Sequence, residues 1–131
     1  MNLKTTIKIF LGLLFSVIVF HICIMLRIIP YNIAWGGRLT NDNEMYVFET
    51  ISILINLFLC CVLLMKGDFI IFKFSDKIVK VILWTFFGLF VLNTVGNIFA
   101  KTNFEKLFAI LTGLSAFLIW NIIRQKKTTN R

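Results

Sequence analysis

The chain has few of the residues from which familiar active sites and disulfide frameworks are built. Its 131 residues include one histidine, one proline and three cysteines. An odd number of cysteines, two of them adjacent at Cys60 and Cys61, makes no disulfide framework. The chain also contains no phosphate-binding loop, no Cys-x-x-Cys, no His-Glu-x-x-His and no nucleophile elbow. The sequence therefore offers no catalytic motif, and no catalytic residue is assigned.

Ligands for a metal ion are scarce as well. A metal site would need ligands beyond His21 and Glu49, and the sequence contains no credible set. We therefore expect neither a metal ion nor an organic cofactor. His21 and Glu49 are chemically able to exchange a proton with a substrate, but their positions in the sequence give no evidence that they touch.

Four long blocks of the chain carry few charged residues and are filled with apolar ones. Hydrophobic residues make up 59% of the chain, which includes 15 Phe, and the mean hydropathy is +0.89. A soluble domain has about 45–50% apolar residues. Each block holds about 20 residues, which is the length of a helix that crosses the hydrocarbon core of a membrane. The sequence thus predicts an all-α, polytopic membrane protein rather than a soluble domain.

The chain is basic, with 14 Lys and Arg against 6 Asp and Glu and a net charge of +8. Because apolar blocks separate these charges, we do not expect nucleic acid as a partner. A basic membrane protein more often concentrates Lys and Arg in its cytoplasmic loops. The expected partner is the lipid bilayer, and the sequence leaves open a homo-oligomer or a membrane partner protein.

Four transmembrane helices are predicted in a single domain that covers residues 1–131. Proline does not readily continue a helix, so Pro30 is expected to end the first span. A very short turn between the last two spans makes them antiparallel neighbours. The fold predicted is an antiparallel four-helix transmembrane bundle. Its spans cover about residues 7–29, 47–65, 78–100 and 104–123, with an outer loop over 30–46, an inner loop over 66–77 and a basic tail over 124–131.

Lys and Arg are distributed unequally between the two sides of these spans. One side holds 10 of the 14 basic residues and a net charge of +8, whereas the other side has a net charge of 0. The first side contains Lys4, Lys8, Lys66, Lys73, Lys77, Lys80, Arg124, Lys126, Lys127 and Arg131. Since basic loops stay in the cytoplasm, both termini are expected there, in a multi-pass protein of the cell membrane. The outer loop is expected on the opposite side.

Polar residues inside the spans are the candidate binding residues, because a polar group in hydrocarbon is expensive. With both termini inside, most of them fall in the outer half of the membrane, beneath the outer loop. The loop is expected to pack down as an ordered cap, with Trp35 and Tyr46 at the interface and Arg38 near an acidic group, Glu44 or Glu49. The candidate ligand-binding residues are His21, Arg38, Glu49, Asn56, Asn93 and Asn97.

A structural interpretation of the same residues stands beside the binding one. Asn, Ser, Thr and His often hydrogen-bond between membrane helices, at around 0.6 kcal/mol per bond. Small residues at four-residue spacing also allow helices to approach closely. Gly12 with Ser16, and Ala109 with Gly113, have this spacing. The polar cluster is therefore either a ligand site or a set of contacts between helices.

The inner loop contains one further apolar stretch, over residues 69–74. It is too short to cross the membrane. We expect it either to lie in the membrane–water interface or to begin a tilted helix.

Three segments carry a resemblance to a known group of proteins. They are Tyr31-Asn-Ile-Ala-Trp-Gly-Gly-Arg-Leu39, Glu44-Met-Tyr-Val-Phe-Glu49 and Asn93-Thr-Val-Gly-Asn-Ile-Phe-Ala-Lys-Thr-Asn-Phe-Glu-Lys106. With their spacing, they resemble a group of small four-span bacterial membrane proteins of uncharacterised function. The resemblance implies a bacterial inner-membrane protein with a four-helix bundle. It implies no substrate and no catalytic residue.

Three functions are compatible with these observations. The first is a non-enzymatic structural or accessory bundle. The second is a protein that binds or transports a small molecule or lipid through an outward-facing polar pocket. The third is an intramembrane enzyme in which His21 and Glu49 act as acid and base. The first is the function that we expect.

Overall fold

The computed structural model describes residues 2–33, 39–100 and 102–125, and these residues are all-helical, without β-strands. The helices are α1 (Leu3–Met25), α2 (Asp42–Lys66), α3 (Asp76–Ile98) and α4 (Asn103–Arg124), with a short 3₁₀ helix over Tyr31–Ile33. At 1.5 Å per residue the four long helices measure about 33–38 Å, which exceeds the roughly 30 Å of a hydrocarbon core. Each is long and apolar enough to cross a membrane. The prediction of an all-α, multi-pass membrane protein is confirmed.

Each long helix begins at a residue whose side chain accepts a hydrogen bond from the first turn. Such an N-cap satisfies a backbone N–H group that has no partner inside the helix. Polar caps therefore set the start of every span, although the spans themselves are apolar. The caps are Asn2, Asn41, Ser75 and Thr102, which accept from the backbone N–H groups of Thr5, Glu44, Ile78 and Glu105.

The end of α1 differs from the expected stop at Pro30. The helix ends at Met25, and Arg27 has a φ of 62°, in the left-handed region. The backbone N–H groups of Ile28 and Ile29 then turn back to the carbonyl oxygen of Cys23, at 2.9 and 3.3 Å. A left-handed residue with such returning bonds is a common way for a helix to end. The reversal at Arg27 therefore ends the helix four residues before Pro30 is reached.

The four helices pack in a closed ring. The most extensive contact joins α3 to α4, followed by α1 to α2 and α1 to α4, and the smallest of the four joins α2 to α3. Four apolar helices in such an arrangement form a transmembrane helix bundle. The weak seam between α2 and α3 is the place where this bundle is least closed.

One end of the bundle, which we call the basic half, is filled by an apolar core from all four helices. The basic half comprises residues 3–14, 59–66, 76–86 and 115–124. Its core brings together the start of α1, the end of α2, the start of α3 and the end of α4. The buried core residues are Ile7, Phe10, Leu14, Leu59, Val62, Leu63, Val79, Leu83, Phe86, Leu118, Ile119 and Ile122.

The other end, which we call the polar half, is packed differently. The polar half comprises residues 15–25, 42–58, 87–98 and 103–114. Its apolar cluster is small and contains Ile24, Leu39 and Met45. None of residues 89–98 of α3 is buried. The polar half thus contains five of the six candidate site residues, all but Arg38, which lies outside the described residues, and it has only a small part of the apolar core.

The apolar stretch at residues 69–74 forms no helix, so it does not begin a tilted one. An ion pair between Lys73 and Asp68 links its two ends, and Ile71 is fully exposed. At the start of the loop, a Cβ atom added to Gly67 would lie 2.6 Å from the ring of Phe69. Glycine at this position therefore lets Phe69 fold back over the chain. Interfacial placement of the loop stays a prediction.

The two small-residue pairs have different surroundings. A Cβ atom on Gly12 would meet nothing within 4 Å, whereas one on Gly113 would lie 3.6 Å from Cγ2 of Thr94. Gly113 therefore faces α3, in line with a small-residue contact between α3 and α4. Gly12 faces away from the described part of the bundle.

Candidate functional site

His21 and Glu49 meet inside the polar half. Nδ1 of His21 on α1 is hydrogen-bonded to Oε2 of Glu49 on α2. The Glu49 side chain is 0% exposed, and the His21 side chain is 15% exposed. A carboxylate is only an acceptor, so when Glu49 is ionised the Nδ1–H group of His21 donates to it. The contact links two helices across 28 residues of sequence.

Glu49 belongs to a polar stripe on α2 that faces the other helices. Ser52 follows it by three residues and is also buried. Asn56 lies one turn further on and is partly buried. Residues at three- and four-residue spacing share a helix face, so this stripe follows directly from the sequence. The Asn56 amide nitrogen Nδ2 donates to the Ser52 carbonyl oxygen of its own helix at 2.8 Å.

The two asparagines of α3 are placed apart from this pair. Asn93 is exposed, and Asn97 is half-buried. Among the described residues neither amide side chain takes part in a hydrogen bond, so neither is bonded to His21 or Glu49. The structure thus brings His21 and Glu49 together and leaves Asn93 on the surface of α3.

The remaining predicted contacts fall partly outside the described residues. Arg38 and Trp35 lie outside them, so the expected pairing of Arg38 stays a prediction. Glu44 accepts hydrogen bonds from the backbone N–H and the hydroxyl of Thr40, at 3.1 and 3.0 Å. This side chain therefore stabilises the entry to α2.

An ion pair at the end of the polar half joins the segment after α1 to the start of α2. Arg27 contacts Asp42 through its guanidinium group. A hydrogen bond with Tyr46 and the charge of Asp42 raise the pKa of Arg27 above its ordinary value. The two charged side chains are 61% and 44% exposed, so water screens their attraction. The sequence shows opposite charges on the two sides of the outer loop, but it does not show that Arg27 and Asp42 pair.

A second polar contact in the polar half joins α3 to α4. The hydroxyl oxygens of Thr94 and Thr112 are 2.9 Å apart. Each hydroxyl also lies within hydrogen-bonding distance of a carbonyl oxygen on its own helix, at Phe90 and Phe108. The sequence showed both threonines inside spans, but it did not show that they face one another.

A cavity at the end of the polar half is distinct from the polar residues of the spans. It has a volume of about 340 Å³. Its lining contains none of His21, Glu49, Asn56, Asn93 or Asn97. The cavity is lined by Ile24, Arg27, Ile29, Pro30, Tyr31, Asn32 and Asp42. The lining of this cavity therefore does not include either residue of the His21–Glu49 pair.

The buried polar groups are satisfied by the protein itself. Within residues 2–33, 39–100 and 102–125, every buried side-chain nitrogen or oxygen has a hydrogen-bond partner. In the same residues, no group of three or more His, Cys, Asp and Glu side chains is placed to hold a metal ion. An imidazole beside a carboxylate is able to transfer a proton, and of this pair the Glu49 side chain is fully buried whereas the His21 side chain is partly exposed.

Comparisons of the chain with protein-family models, with curated proteins and with solved structures give no match. The resemblance to small bacterial four-span proteins therefore stays a prediction. The account of the site rests on the residues and their geometry.

Proposed function

We propose that the protein is a non-enzymatic structural or accessory bundle of the membrane. The contact between His21 and Glu49 carries this proposal. Two polar side chains that the sequence marks as candidates for ligand binding are engaged with one another between α1 and α2. Hydrogen bonds of this kind hold membrane helices together and fix their register. In this proposal the polar residues of the bundle serve its assembly.

The bundle is proposed to be antiparallel, with both termini in the cytoplasm, in the inner membrane of a bacterium. Two features support the orientation. The basic residues of the chain concentrate at one end of the spans. The start of α1 shares its apolar core with the end of α2, the start of α3 and the end of α4. The bacterial inner membrane rests on the resemblance alone.

Two cysteine variants test the orientation in a background without Cys23, Cys60 and Cys61. Asn43→Cys lies in the first turn of α2, and Lys77→Cys lies in the first turn of α3; both side chains are exposed. In intact cells, a membrane-impermeant maleimide is expected to label the Asn43→Cys variant alone. Lysed cells provide the control, because both cysteines are then accessible. Labelling of the Lys77→Cys variant in intact cells would reverse the proposed orientation.

The binding and enzymatic alternatives need a site that a ligand can reach. Glu49 is fully buried, and the cavity at the end of the polar half is lined by other residues. Asn56 uses its amide nitrogen on its own helix. These observations favour the accessory function over both alternatives.

Thermal unfolding in detergent, with and without a total lipid and metabolite extract of the host, tests the proposal. The wild type, Glu49→Gln and Asn97→Ala are compared. The accessory function predicts that the extract shifts the melting temperature of all three proteins equally, although Glu49→Gln unfolds at a lower temperature throughout. Stabilisation of the wild type that is lost in Glu49→Gln and Asn97→Ala would contradict the proposal and support a ligand site.

A further inference from the structure

The part of α3 that lies in the polar half is the least covered segment of the four helices. None of its residues 89–98 is buried, and Leu92 is 69% exposed. In the same half, α1 buries Ile24, α2 buries Glu49 and α4 buries Glu105. The small contact between α2 and α3 accounts for the difference. This stretch of α3 therefore turns most of its surface outward.

Asn93 lies on this surface at a depth where an amide has no water. Lys80 and Lys101 flank the uncharged residues 81–100 of the sequence. Taken as the membrane-crossing stretch, these residues place Asn93 about 4 Å from the midpoint at 1.5 Å per residue. The side chain is exposed, and no described residue hydrogen-bonds with it. Lipid tails offer neither a donor nor an acceptor, so a polar group from outside the described residues would be needed to satisfy the amide, and a neighbouring protein molecule is able to supply one.

The residues around Asn93 allow a helix to approach closely. At 100° per residue, Gly88, Leu92, Gly96 and Asn93 fall within an arc of about 140° on one side of α3. A Cβ atom added to Gly88 or to Gly96 would meet nothing within 4 Å. Small residues on a membrane helix let two backbones come near each other. On this face, Gly88 and Gly96 leave space for a neighbouring backbone, and Asn93 supplies a polar side chain.

We propose that this face of α3, formed by Gly88, Leu92, Asn93 and Gly96, is the contact between two copies of the chain. The argument for a second copy is the self-complementarity of an amide, which carries both an acceptor and donors. Two copies in one membrane share the same orientation, so their Asn93 residues lie at equal depth. A two-fold axis then brings each amide against its twin, and each donates to the other.

The face carries no charged residue, which argues against an ionic headgroup as its occupant. A single asparagine in an apolar helix contact is known to fix the register and the number of helices. The Asn93 pair has the same role in this dimer. The contact lies outside the His21–Glu49 pair and does not depend on the function proposed for that pair.

The test is the association of fluorescently labelled full-length protein in phosphatidylcholine and phosphatidylglycerol liposomes, followed by energy transfer at increasing dilution in lipid. The wild type is expected to form dimers. Asn93→Leu and Gly96→Val are expected to weaken dimerisation at least tenfold. Gly12→Val is the matched control, because Gly12 is an equally open glycine on the outward face of α1. This control is expected to dimerise like the wild type.

A second measurement keeps the proposal testable if a substitution disturbs folding. In the background without native cysteines, Asn93→Cys is expected to form an oxidative cross-link between two copies, because a disulfide needs close Cα atoms. Gly12→Cys is expected not to cross-link. A wild type that stays monomeric at every dilution, or equal cross-linking at the two positions, would overturn the proposal. Dimers that survive both Asn93→Leu and Gly96→Val would also overturn it.

Discussion

In the basic half, apolar side chains from all four helices meet in one large core. In the polar half the apolar contacts are smaller, namely the Ile24 and Met45 cluster and the packing of Phe20 against Phe104 and Phe108, and polar contacts between helices stand beside them. The core of the basic half includes Phe10 from α1, Leu63 from α2, Leu83 from α3 and Ile119 from α4. The polar half instead has one side-chain hydrogen bond between α1 and α2, at His21 and Glu49. It has another between α3 and α4, at Thr94 and Thr112.

The difference indicates that different interactions stabilise the two halves of this small membrane bundle. Lipid tails are as apolar as leucine, so packing and hydrogen bonds, rather than a hydrophobic driving force, hold membrane helices together. Close packing serves the basic half. In the polar half, hydrogen bonds between side chains stabilise the bundle, and they also determine which helices pair. In our account the polar half consists of two hydrogen-bonded helix pairs, which are joined by the packing of Phe20 of α1 against Phe104 and Phe108 of α4.

The largest expected effect comes from opening the core of the basic half. Phe10 is fully buried and packs edge-on against Phe90 of α3, with ring centroids 6.1 Å apart. Phe10→Ala is expected to lower the free energy of unfolding by about 3 kcal/mol, since the helices cannot fully close over the lost ring. Unfolding in mixed detergent and dodecyl sulfate micelles measures the change.

Phe15→Ala is the matched control for this prediction. Phe15 lies on the same helix and is 68% exposed. Its truncation removes the same atoms from a surface that faces lipid, so a much smaller change is expected. Equal effects of the two substitutions would show that the core of the basic half is not what holds the bundle closed.

A smaller effect is expected at the contact between α3 and α4 in the polar half. Thr94→Val keeps the shape of the side chain and removes the hydroxyl that lies 2.9 Å from the Thr112 hydroxyl. We expect a loss of about 0.6 kcal/mol, which is typical of one hydrogen bond between membrane helices. The same unfolding measurement applies.

Thr85→Val is the control for Thr94→Val, because it removes from α3 a threonine hydroxyl whose hydrogen bond lies within its own helix. The Thr85 side chain is exposed, and its hydroxyl donates to the Val81 carbonyl oxygen of its own helix at 2.9 Å. We expect no measurable destabilisation from it. If Thr85→Val costs as much as Thr94→Val, the threonine pair does not join α3 to α4.

Composition made the four helices predictable, whereas their capped starts and their rotation were not: α1 and α2 begin at Leu3 and Asp42 rather than near residues 7 and 47. A block of about 20 apolar residues is enough to predict a span, whichever side faces the bundle. Along α3 nearly every side is apolar, so no periodic pattern showed that Asn93 faces outward. The stop of α1 depends on the left-handed conformation at Arg27, which the sequence does not mark as it marks Pro30.

The candidate site was predictable in its residue types but not in its contacts. The stripe on α2 followed from the spacing of Glu49, Ser52 and Asn56. That Glu49 meets His21 depends on how α1 and α2 pack, and a separation of 28 positions in the sequence holds no information on the distance between the two side chains. Sequence reasoning thus identified the expensive side chains, and only the fold showed which of them are partners.

A double-mutant cycle on His21 and Glu49 tests most directly the claim that the polar half is joined by polar bonds. The free energy of unfolding is measured for the wild type, for His21→Leu, for Glu49→Gln and for the double variant. The account predicts a coupling of about 1–2 kcal/mol between the two side chains, toward the upper end of hydrogen bonds between membrane helices. Effects that add to within about 0.3 kcal/mol would contradict it, because independent residues behave in that way.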